Sequence, residues 1–213
     1  MLRMYDEKGA LYIPPGYGRI RFSRNEVAQI LVAVAALTFA FYMALTFGNA
    51  LTLDESLYYL AASAIAVITG FLLHELAHKF LAQRYGAWAE FRVYPLGLVF
   101  ALFFALLAGW VFAAPGAVYI QGRITKEQNG KISLAGPAVN LIFGLACLAL
   151  FIALPLTLLF IIAWINLFLA VFNLVPFGPL DGAKVARWNI GIFLLAMGAG
   201  VASLVLTWYY LLS

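Results

Sequence analysis

The sequence predicts an all-α polytopic membrane protein with five or six transmembrane helices and a short re-entrant or β-hairpin element between two of them. Of its 213 residues, 65% are hydrophobic and only 10% are charged, whereas soluble domains average about 25% charged residues. Several segments exceed the roughly 18 uncharged residues that mark a membrane-spanning helix. A water-soluble fold of this size could not bury so much apolar surface, so the lipid bilayer is the expected environment.

Five apolar segments are predicted to cross the membrane, and residues that end helices, such as Gly48, Gly86 and Pro155, lie at their boundaries. Residues 1–26 are polar and basic and form a predicted cytoplasmic tail, and residues 27–213 form the predicted transmembrane domain. The length of the first apolar segment favours a retained span over a cleaved signal peptide. The predicted spans are Val27–Phe47, Leu57–Tyr85, Ser133–Ala153, Leu156–Leu174 and Trp188–Leu212.

The connection between the second and third spans contains two further features. The apolar stretch 96–115 is long enough for either a span or a re-entrant loop, and its length alone does not decide between them. Residues 116–131 are predicted to form a hairpin, because Ala117–Ile120 has strand-like character and Asn129-Gly130 is a turn signal.

The distribution of charge predicts the orientation of the chain. Its net charge of +4 is typical of basic residues on the cytoplasmic side of a membrane protein and does not indicate nucleic-acid binding. The tail before the first span is rich in arginine and lysine, whereas the next loop holds Asp54 and Glu55 and no basic residue. The N-terminus is therefore expected in the cytoplasm.

The two histidines of the chain, His74 and His78, flank Glu75 in a His-Glu-x-x-His sequence within the second span. Residues four apart share one face of a helix, so the two imidazoles can ligate one tetrahedral Zn²⁺, with Glu75 positioned to take a proton from water. A pair of hydrogen-bonded core histidines is the alternative. Three ionisable groups in an apolar helix would each cost at least ~2.5 kcal/mol, however, and need a partner. The spacing therefore predicts one zinc ion per chain.

A third zinc ligand is expected from a carboxylate elsewhere in the chain. Asp181 is a better candidate than Glu90 or Glu127, which lie in polar, basic surroundings. Pro176 and Pro179 forbid a regular helix before Asp181. Irregular backbone at membrane depth is tolerated only where it is buried in protein or lines a wet cavity. The segment is therefore predicted to fold back and present Asp181 to the metal, and the alternative is an ordinary loop with a solvated aspartate.

Together these motifs resemble the site-2 protease family of intramembrane zinc metalloproteases, in a compact prokaryotic or archaeal form without a PDZ domain. The His-Glu-x-x-His sequence matches the family's first motif, Asn173–Gly182 matches its Asn-x-x-Pro…Asp-Gly segment, and Ala135–Asn140 resembles its Ala-Gly-Pro helix start. The resemblance covers residues 57–187. It implies that His74, His78 and Asp181 bind zinc, that Glu75 is the general base and acid, and that Asn173 binds substrate or the oxyanion.

Asn140 has two interpretations. It could contact substrate or the oxyanion, or it could hydrogen-bond across helices as a packing residue. The chain also departs from simple family members, because these lack the apolar stretch 96–115 between the two core spans.

Geometry constrains the course of residues 96–115. One zinc ion can reach both His74 and Asp181 only if an even number of crossings separates the second and fourth spans. The third and fourth spans already supply two, and 96–115 is too short for two more spans of ~20 residues each. We therefore predict a re-entrant or peripheral element that returns to the cytoplasmic side. With that topology all 13 Lys and Arg residues fall on or near the cytoplasmic side and the C-terminus is external.

The resemblance implies an endopeptidase that cleaves transmembrane segments of other membrane proteins in regulated intramembrane proteolysis, in the cell membrane with its active site toward the cytoplasm. Residues 116–131 are the candidate edge for pairing with an extended substrate. One alternative is a CAAX-processing metalloprotease, which takes a downstream glutamate as third ligand. The other is a non-enzymatic zinc-binding or transport protein, which would not need Glu75. No particular oligomeric state is implied.

Overall fold

The computed structural model describes residues 20–111 and 115–212. Most of the predicted tail, residues 1–19, and residues 112–114 of the apolar stretch lie outside this description. Within it, five helices are long and apolar enough to cross a membrane, which indicates an integral membrane protein. In chain order the elements are α1 (Arg24–Leu45), α2 (Leu53–Val67), a π-helical segment (Ile68–Leu72), α3 (Leu73–Arg84), β1 (Trp88–Val93), α4 (Pro95–Ala108), β2 (Gly116–Gln121), α5 (Lys126–Ala153), α6 (Thr157–Leu174), α7 (Asp181–Trp188) and α8 (Ile190–Leu212).

Each of the five predicted spans is present as a helix, but two begin well before their apolar residues. Side-chain caps explain the difference. Thr52 and Glu55 exchange side-chain and backbone hydrogen bonds at the start of α2, and Thr125 and Gln128 do the same at the start of α5. Such a capping box satisfies two backbone N–H groups of the first turn. The polar residues ahead of each span are therefore helical.

The predicted hairpin at 116–131 is wrong in its extent. Its first half forms β2, but the partner of β2 is β1, from the other side of the apolar stretch. Asn129 and Gly130 lie inside α5, because the cap at Thr125 starts a helix that overrides their turn propensity. A side chain on Gly130 would overlap Trp188, so this glycine allows the close contact between α5 and α7.

The antiparallel strands bring the two ends of the apolar stretch 96–115 together. Val93 lies opposite Gly116, and the Tyr94 N–H donates to the Pro115 carbonyl at 2.8 Å. Between them, α4 has 14 residues and is therefore about 21 Å long, shorter than the ~30 Å hydrocarbon core of a bilayer. It packs against α1. The connection thus leaves the sheet and returns to it at one point.

The second span changes its winding just before the histidines. Ile68–Leu72 is π-helical, and the Leu73 N–H donates to the Ile68 carbonyl five residues back. A π-helical turn alters the hydrogen-bonding pattern of the helix and is frequent at functional sites. Here the Gly70 carbonyl accepts a hydrogen bond from a side chain of α5. The segment therefore links the two helices next to His74.

Close packing fixes α6 and α7 against the rest of the bundle. The α5 helix packs along α6 and against α3, and a side chain on Gly144 of α5 would overlap Leu167 of α6. A Cβ on Gly182 would lie 1.9 Å from the Leu174 carbonyl oxygen at the end of α6. Only glycine fits there, so Gly182 allows the start of α7 to approach the bundle.

Candidate metal centre

His74 and His78 lie one turn apart on α3 and share the face that packs on α5. Both side chains are buried. Their Nε2 atoms are 3.0 Å apart and the rings meet edge to face. The helix therefore directs both imidazoles at one point.

Groups on α5 hold the other nitrogen of each ring. Nδ1 of His78 lies 2.7 Å from the Ile132 carbonyl oxygen, and Nδ1 of His74 lies 2.9 Å from Oδ1 of Asn140. The Asn140 Nδ2–H group donates to the Gly70 carbonyl at 2.9 Å, which leaves Oδ1 of Asn140 as the acceptor for His74. Because both partners are acceptors, both Nδ1 atoms carry the hydrogen. Each Nε2 then presents a lone pair.

Asp181 reaches this point from the start of α7. Its Oδ2 lies 3.0 Å from Nε2 of His78 and 3.4 Å from Nε2 of His74. The segment before it contains Pro176 and Pro179 and is not helical, as the prolines predict. The carboxylate is buried. An irregular segment after α6 thus delivers a carboxylate to the bundle interior.

The three donor atoms fit a divalent metal ion. Two imidazole lone pairs and a carboxylate oxygen converge without a hydrogen between them, so they would repel one another unless a cation lay between them. Their separations of 3.0–3.4 Å match the roughly 3.3 Å between ligands of a tetrahedral zinc ion. Among the described residues, this is the one group of three His, Cys, Asp or Glu side chains close enough to hold a metal.

The Asp181 carboxyl, which lies outside the five membrane-spanning helices, stays ionised even when protons replace the metal. Burial raises the pKa of Asp181, but positive charge on His78 and hydrogen bonds from both imidazoles outweigh burial and hold the pKa below its usual value. Lys184 lies one turn further along α7, with its Nζ 3.4 Å from Oδ1 of Asp181. Asp181 is therefore in the form that binds metals.

Gly136 provides the space in which a metal would lie. A Cβ at this position would be 2.4 Å from Nε2 of His78 and 2.6 Å from Nε2 of His74. These distances are close to the zinc–nitrogen bond length of about 2.0–2.1 Å. The glycine of the Ala-Gly-Pro sequence thus leaves α5 without a side chain at the centre of the donor set.

Glu75 lies beside the donors in a cavity of about 530 Å³ that they also line. Its side chain is partly exposed, and its Oε2 accepts the Val118 N–H of β2 at 3.1 Å. The cavity lies between α1, the sheet, α5 and the end of α6. A carboxylate, three metal donors and a strand edge therefore face one space.

The two asparagines named by the sequence occupy different surroundings. Asn173 lines the cavity, and its Nδ2 donates to the Leu169 carbonyl at 3.0 Å. Asn140 is completely buried and uses both ends of its amide across helices, on His74 and Gly70. These contacts favour the cross-helix interpretation of Asn140 over a contact with substrate.

The two rejected glutamates lie away from the donors. Glu90 is paired with Ser23 and Arg92 near the start of α1, and Glu127 is paired with Lys131 on an exposed surface of α5. Neither lines the cavity. In the part of the chain that the structure describes, no glutamate downstream of the His-Glu-x-x-His sequence thus offers an alternative to Asp181.

Sequence reasoning missed the outer partners of the histidines and the strand contact of Glu75. The Ile132 and Gly70 carbonyls and the Val118 N–H are backbone groups, and a sequence pattern does not show where such groups point. Gly136 did carry a signal, because it lies in the Ala-Gly-Pro sequence that resembles the family's helix start. The structure places that sequence inside α5 and not at its start, because the cap at Thr125 begins the helix earlier.

Comparison with known proteins identifies the family. The model of peptidase family M50 matches residues 153–204, from the end of α5 into α8. A Methanocaldococcus jannaschii protein with the provisional name zinc metalloprotease MJ0611 is 41% identical over 175 residues, which cover 79% of this chain and 87% of that relative. The chain belongs to peptidase family M50, the site-2 protease family.

Other M50 relatives are more distant. Zinc metalloprotease MJ0392 of the same archaeon is 28% identical over 156 residues, 71% of this chain and 40% of the relative. A Bacillus subtilis protein provisionally named zinc metalloprotease YwhC is 30% identical over 161 residues, 62% of this chain and 73% of the relative. No solved structure gives a significant match. The M50 chain is accordingly a metallopeptidase, and zinc is the metal that its family indicates.

Filling the space at Gly136 should block metal binding in this M50 protein. We expect Gly136→Ala to weaken zinc affinity by at least about ten-fold, because the added methyl occupies the centre of the donor set. Alanine favours a helix by about 1 kcal/mol over glycine, but its Cβ would also overlap both imidazole rings without metal, so the melting temperature of the metal-free variant is measured as well. Zinc competition titration checks the affinity, with Gly198→Ala as control because nothing lies within 4 Å of a Cβ there. Full zinc affinity in Gly136→Ala would contradict the assignment of the site.

Removal of Asp181 should cost more zinc affinity than removal of any other acidic residue outside the His-Glu-x-x-His sequence. We expect Asp181→Ala to weaken binding by more than the 10–100-fold typical of outer-shell partners. The same titration applied to Glu127→Ala, an exposed residue, should give the wild-type value. If Glu90→Ala or Glu127→Ala loses zinc while Asp181→Ala keeps it, the third ligand is a glutamate, as in the CAAX type.

Proposed function

We propose that this M50 metallopeptidase is an intramembrane endopeptidase that hydrolyses peptide bonds in transmembrane segments of other membrane proteins. His74, His78 and Asp181 hold the zinc ion, and Glu75 is the general base and acid. The observation that carries the proposal is the depth of the donor set. His74 lies 11 residues before Tyr85, the C-cap residue of α3, which is about 16 Å along the helix axis and about halfway into a ~30 Å core.

The chain's own residues account for binding and proton transfer. Zinc, when bound, polarises the scissile carbonyl and makes water a stronger acid. Glu75 takes the proton from the attacking water and passes it to the leaving amine. The Val118 N–H restrains the Glu75 carboxylate. The Asn140 side chain orients the imidazole of His74, and the Ile132 carbonyl orients that of His78. Asn173, which lines the cavity, binds the substrate carbonyl or the oxyanion.

The open edge of β2 receives the substrate. In an antiparallel pair, alternate residues face the partner strand or face away from it. The Val118 N–H faces away from β1, toward Glu75. Gly116 and Ile120, two residues to either side, face the same way. An unwound substrate could therefore satisfy its backbone groups on this edge, as membrane depth requires.

The apolar stretch enters the membrane from the cytoplasmic side and returns to it. Pairing of Val93 with Gly116 brings its ends together, and α4 is shorter than a span. The N-terminus then lies in the cytoplasm, the C-terminus outside, and the basic residues on or near the cytoplasmic side. A helical substrate enters laterally from lipid and unwinds before cleavage.

Replacement of the proposed base should separate binding from chemistry. We expect Glu75→Gln to keep one zinc ion per chain but to lower cleavage by roughly 10²–10⁴-fold, the usual contribution of general acid–base catalysis. Zinc content and cleavage of a panel of single-span substrates in proteoliposomes measure the two effects. The matched control is Glu127→Gln, an exposed carboxylate remote from the cavity. A transporter would instead show zinc flux into the vesicles and no cleavage by the wild type.

Removal of one outward N–H should test the substrate edge. Ile120→Pro deletes a donor that faces the cavity and spares the β1–β2 hydrogen bonds, since proline is tolerated on edge strands. We expect KM for a transmembrane substrate to rise at least about five-fold, the loss of one hydrogen bond of ~1 kcal/mol, with zinc affinity unchanged. Ile120→Val, which retains the N–H, is the control. Equal KM values in both variants would exclude pairing at this position.

A further inference from the structure

Two buried charges lie near the start of α1 and take no part in the proposed chemistry. Glu26 and Lys79 are 0% and 1% exposed. Nζ of Lys79 lies 2.8 Å from Oε1 and 2.9 Å from Oε2 of Glu26. Buried ion pairs contribute little net stability, because desolvation offsets their attraction. Their presence calls for another role.

Both residues also bind the backbone of β1 on the edge that faces away from β2. Oε1 of Glu26 accepts the Phe91 N–H at 2.8 Å, and Nζ of Lys79 donates to the Ala89 carbonyl at 2.7 Å. Gln29 and Gln83 extend the pattern. Oε1 of Gln29 accepts the Val93 N–H at 2.8 Å, and Nε2 of Gln83 donates to the Ala89 carbonyl at 3.0 Å.

The spacing of these contacts is that of a strand. The bonded residues of β1 are 89, 91 and 93, each two apart, so they are the outward groups that a third strand would bind. Four side chains from α1 and α3 supply the partners instead. Lys79 uses all three of its N–H donors, two on Glu26 and one on Ala89. The Ala89 carbonyl and the N–H groups of Phe91 and Val93 are therefore already occupied on the outer edge of β1, whereas the outer edge of β2 faces the cavity.

The same helix contacts both edges of the sheet. Glu75 and Lys79 are four apart on α3 and share a face. Glu75 binds Val118 on the β2 edge, and Lys79 binds Ala89 on the β1 edge. Val118 lies directly opposite Phe91 in the strand register. The sheet is thus held across α3 in one position relative to the histidines.

We infer that Glu26, Gln29, Lys79 and Gln83 substitute for a third β-strand, and that they are positioning residues which hold the open edge of β2 against the catalytic centre. The inference deepens the proposed function and rests on it for the substrate. These four side chains would determine which edge of the sheet the substrate joins and how the substrate is aligned. The hydrogen-bond polarity of the pair, not its charge alone, carries this role.

An exchange of the two charged residues separates the hydrogen-bonding role of the pair from its charge. In Glu26→Lys/Lys79→Glu the ion pair remains, but a lysine cannot accept the Phe91 N–H and a glutamate cannot donate to the Ala89 carbonyl. We expect this variant to lose kcat/KM by at least about ten-fold, since a shift of ~1 Å can cost 10²-fold, and to cut at several positions. Recovery of wild-type activity and of a single cut would show that the pair acts only by charge.

A second variant covers failure of the exchanged pair to fold. Glu26→Leu/Lys79→Met replaces the pair by apolar groups of similar volume, and loss of a buried ion pair in this way is often tolerated. The remaining cost is the unpaired Phe91 N–H, which is the effect under test. We expect it to fold and bind zinc with wild-type affinity, with the same loss of kcat/KM. The matched control is Glu127→Leu/Lys131→Met, which removes an exposed ion pair four residues apart on α5. This control should behave as wild type.

Hydrogen exchange gives a readout that needs no substrate. The peptide 88–93 should be protected in wild type and in the Glu127/Lys131 control, and should exchange faster in both Glu26/Lys79 variants. Unchanged protection in a folded Glu26/Lys79 variant would overturn the inference, while wild-type cleavage of a transmembrane substrate would leave the proposed function standing. Conversely, faster exchange in the Glu26/Lys79 variants with no cleavage by the wild type would support the contacts of the four side chains with β1 and reject the proposed protease activity.

Discussion

The meeting of three hydrogen-bond acceptors in an apolar bundle is the constraint on which the rest of the structure depends. Carbonyl and amide oxygens on α5 fix the hydrogens of His74 and His78 on Nδ1, so both Nε2 lone pairs face the Asp181 carboxylate. Such a set is unfavourable unless a cation lies within it. The glycine at 136, the prolines before Asp181 and the close approach at Gly182 all serve this one arrangement.

A second constraint comes from the backbone of a strand pair beside membrane-spanning helices. Every N–H and carbonyl group at that depth needs a partner. Side chains of α1 and α3 bind three backbone groups on the outer edge of β1, whereas the outer edge of β2 faces the cavity and Glu75. The two edges therefore differ, and only the edge of β2 faces the cavity in which a substrate would bind. The apolar stretch between the strands returns to its starting point, because β1 and β2 are paired.

Much of this architecture follows from the sequence, and the exceptions have physical causes. Apolar length predicts the spans, and the spacing of the histidines and prolines predicts that three side chains meet. The prediction of a hairpin at 116–131 is wrong, because the turn signal of Asn129-Gly130 is local, whereas β2 pairs with β1 across the apolar stretch. The π-helical segment and the backbone partners of the histidines depend on packing between distant helices. Lys79 and Glu26 are 53 residues apart, so no local pattern connects them.

The coordination of the metal in the wild-type protein tests the central claim most directly. X-ray absorption spectroscopy on the zinc-loaded protein in detergent should give one zinc ion per chain, with two imidazole nitrogens at about 2.0–2.1 Å and carboxylate or water oxygens at about 2.0–2.2 Å. A sulfur ligand at about 2.3 Å, which could come only from Cys147 or a methionine, would contradict this account. So would a zinc ion with a single imidazole.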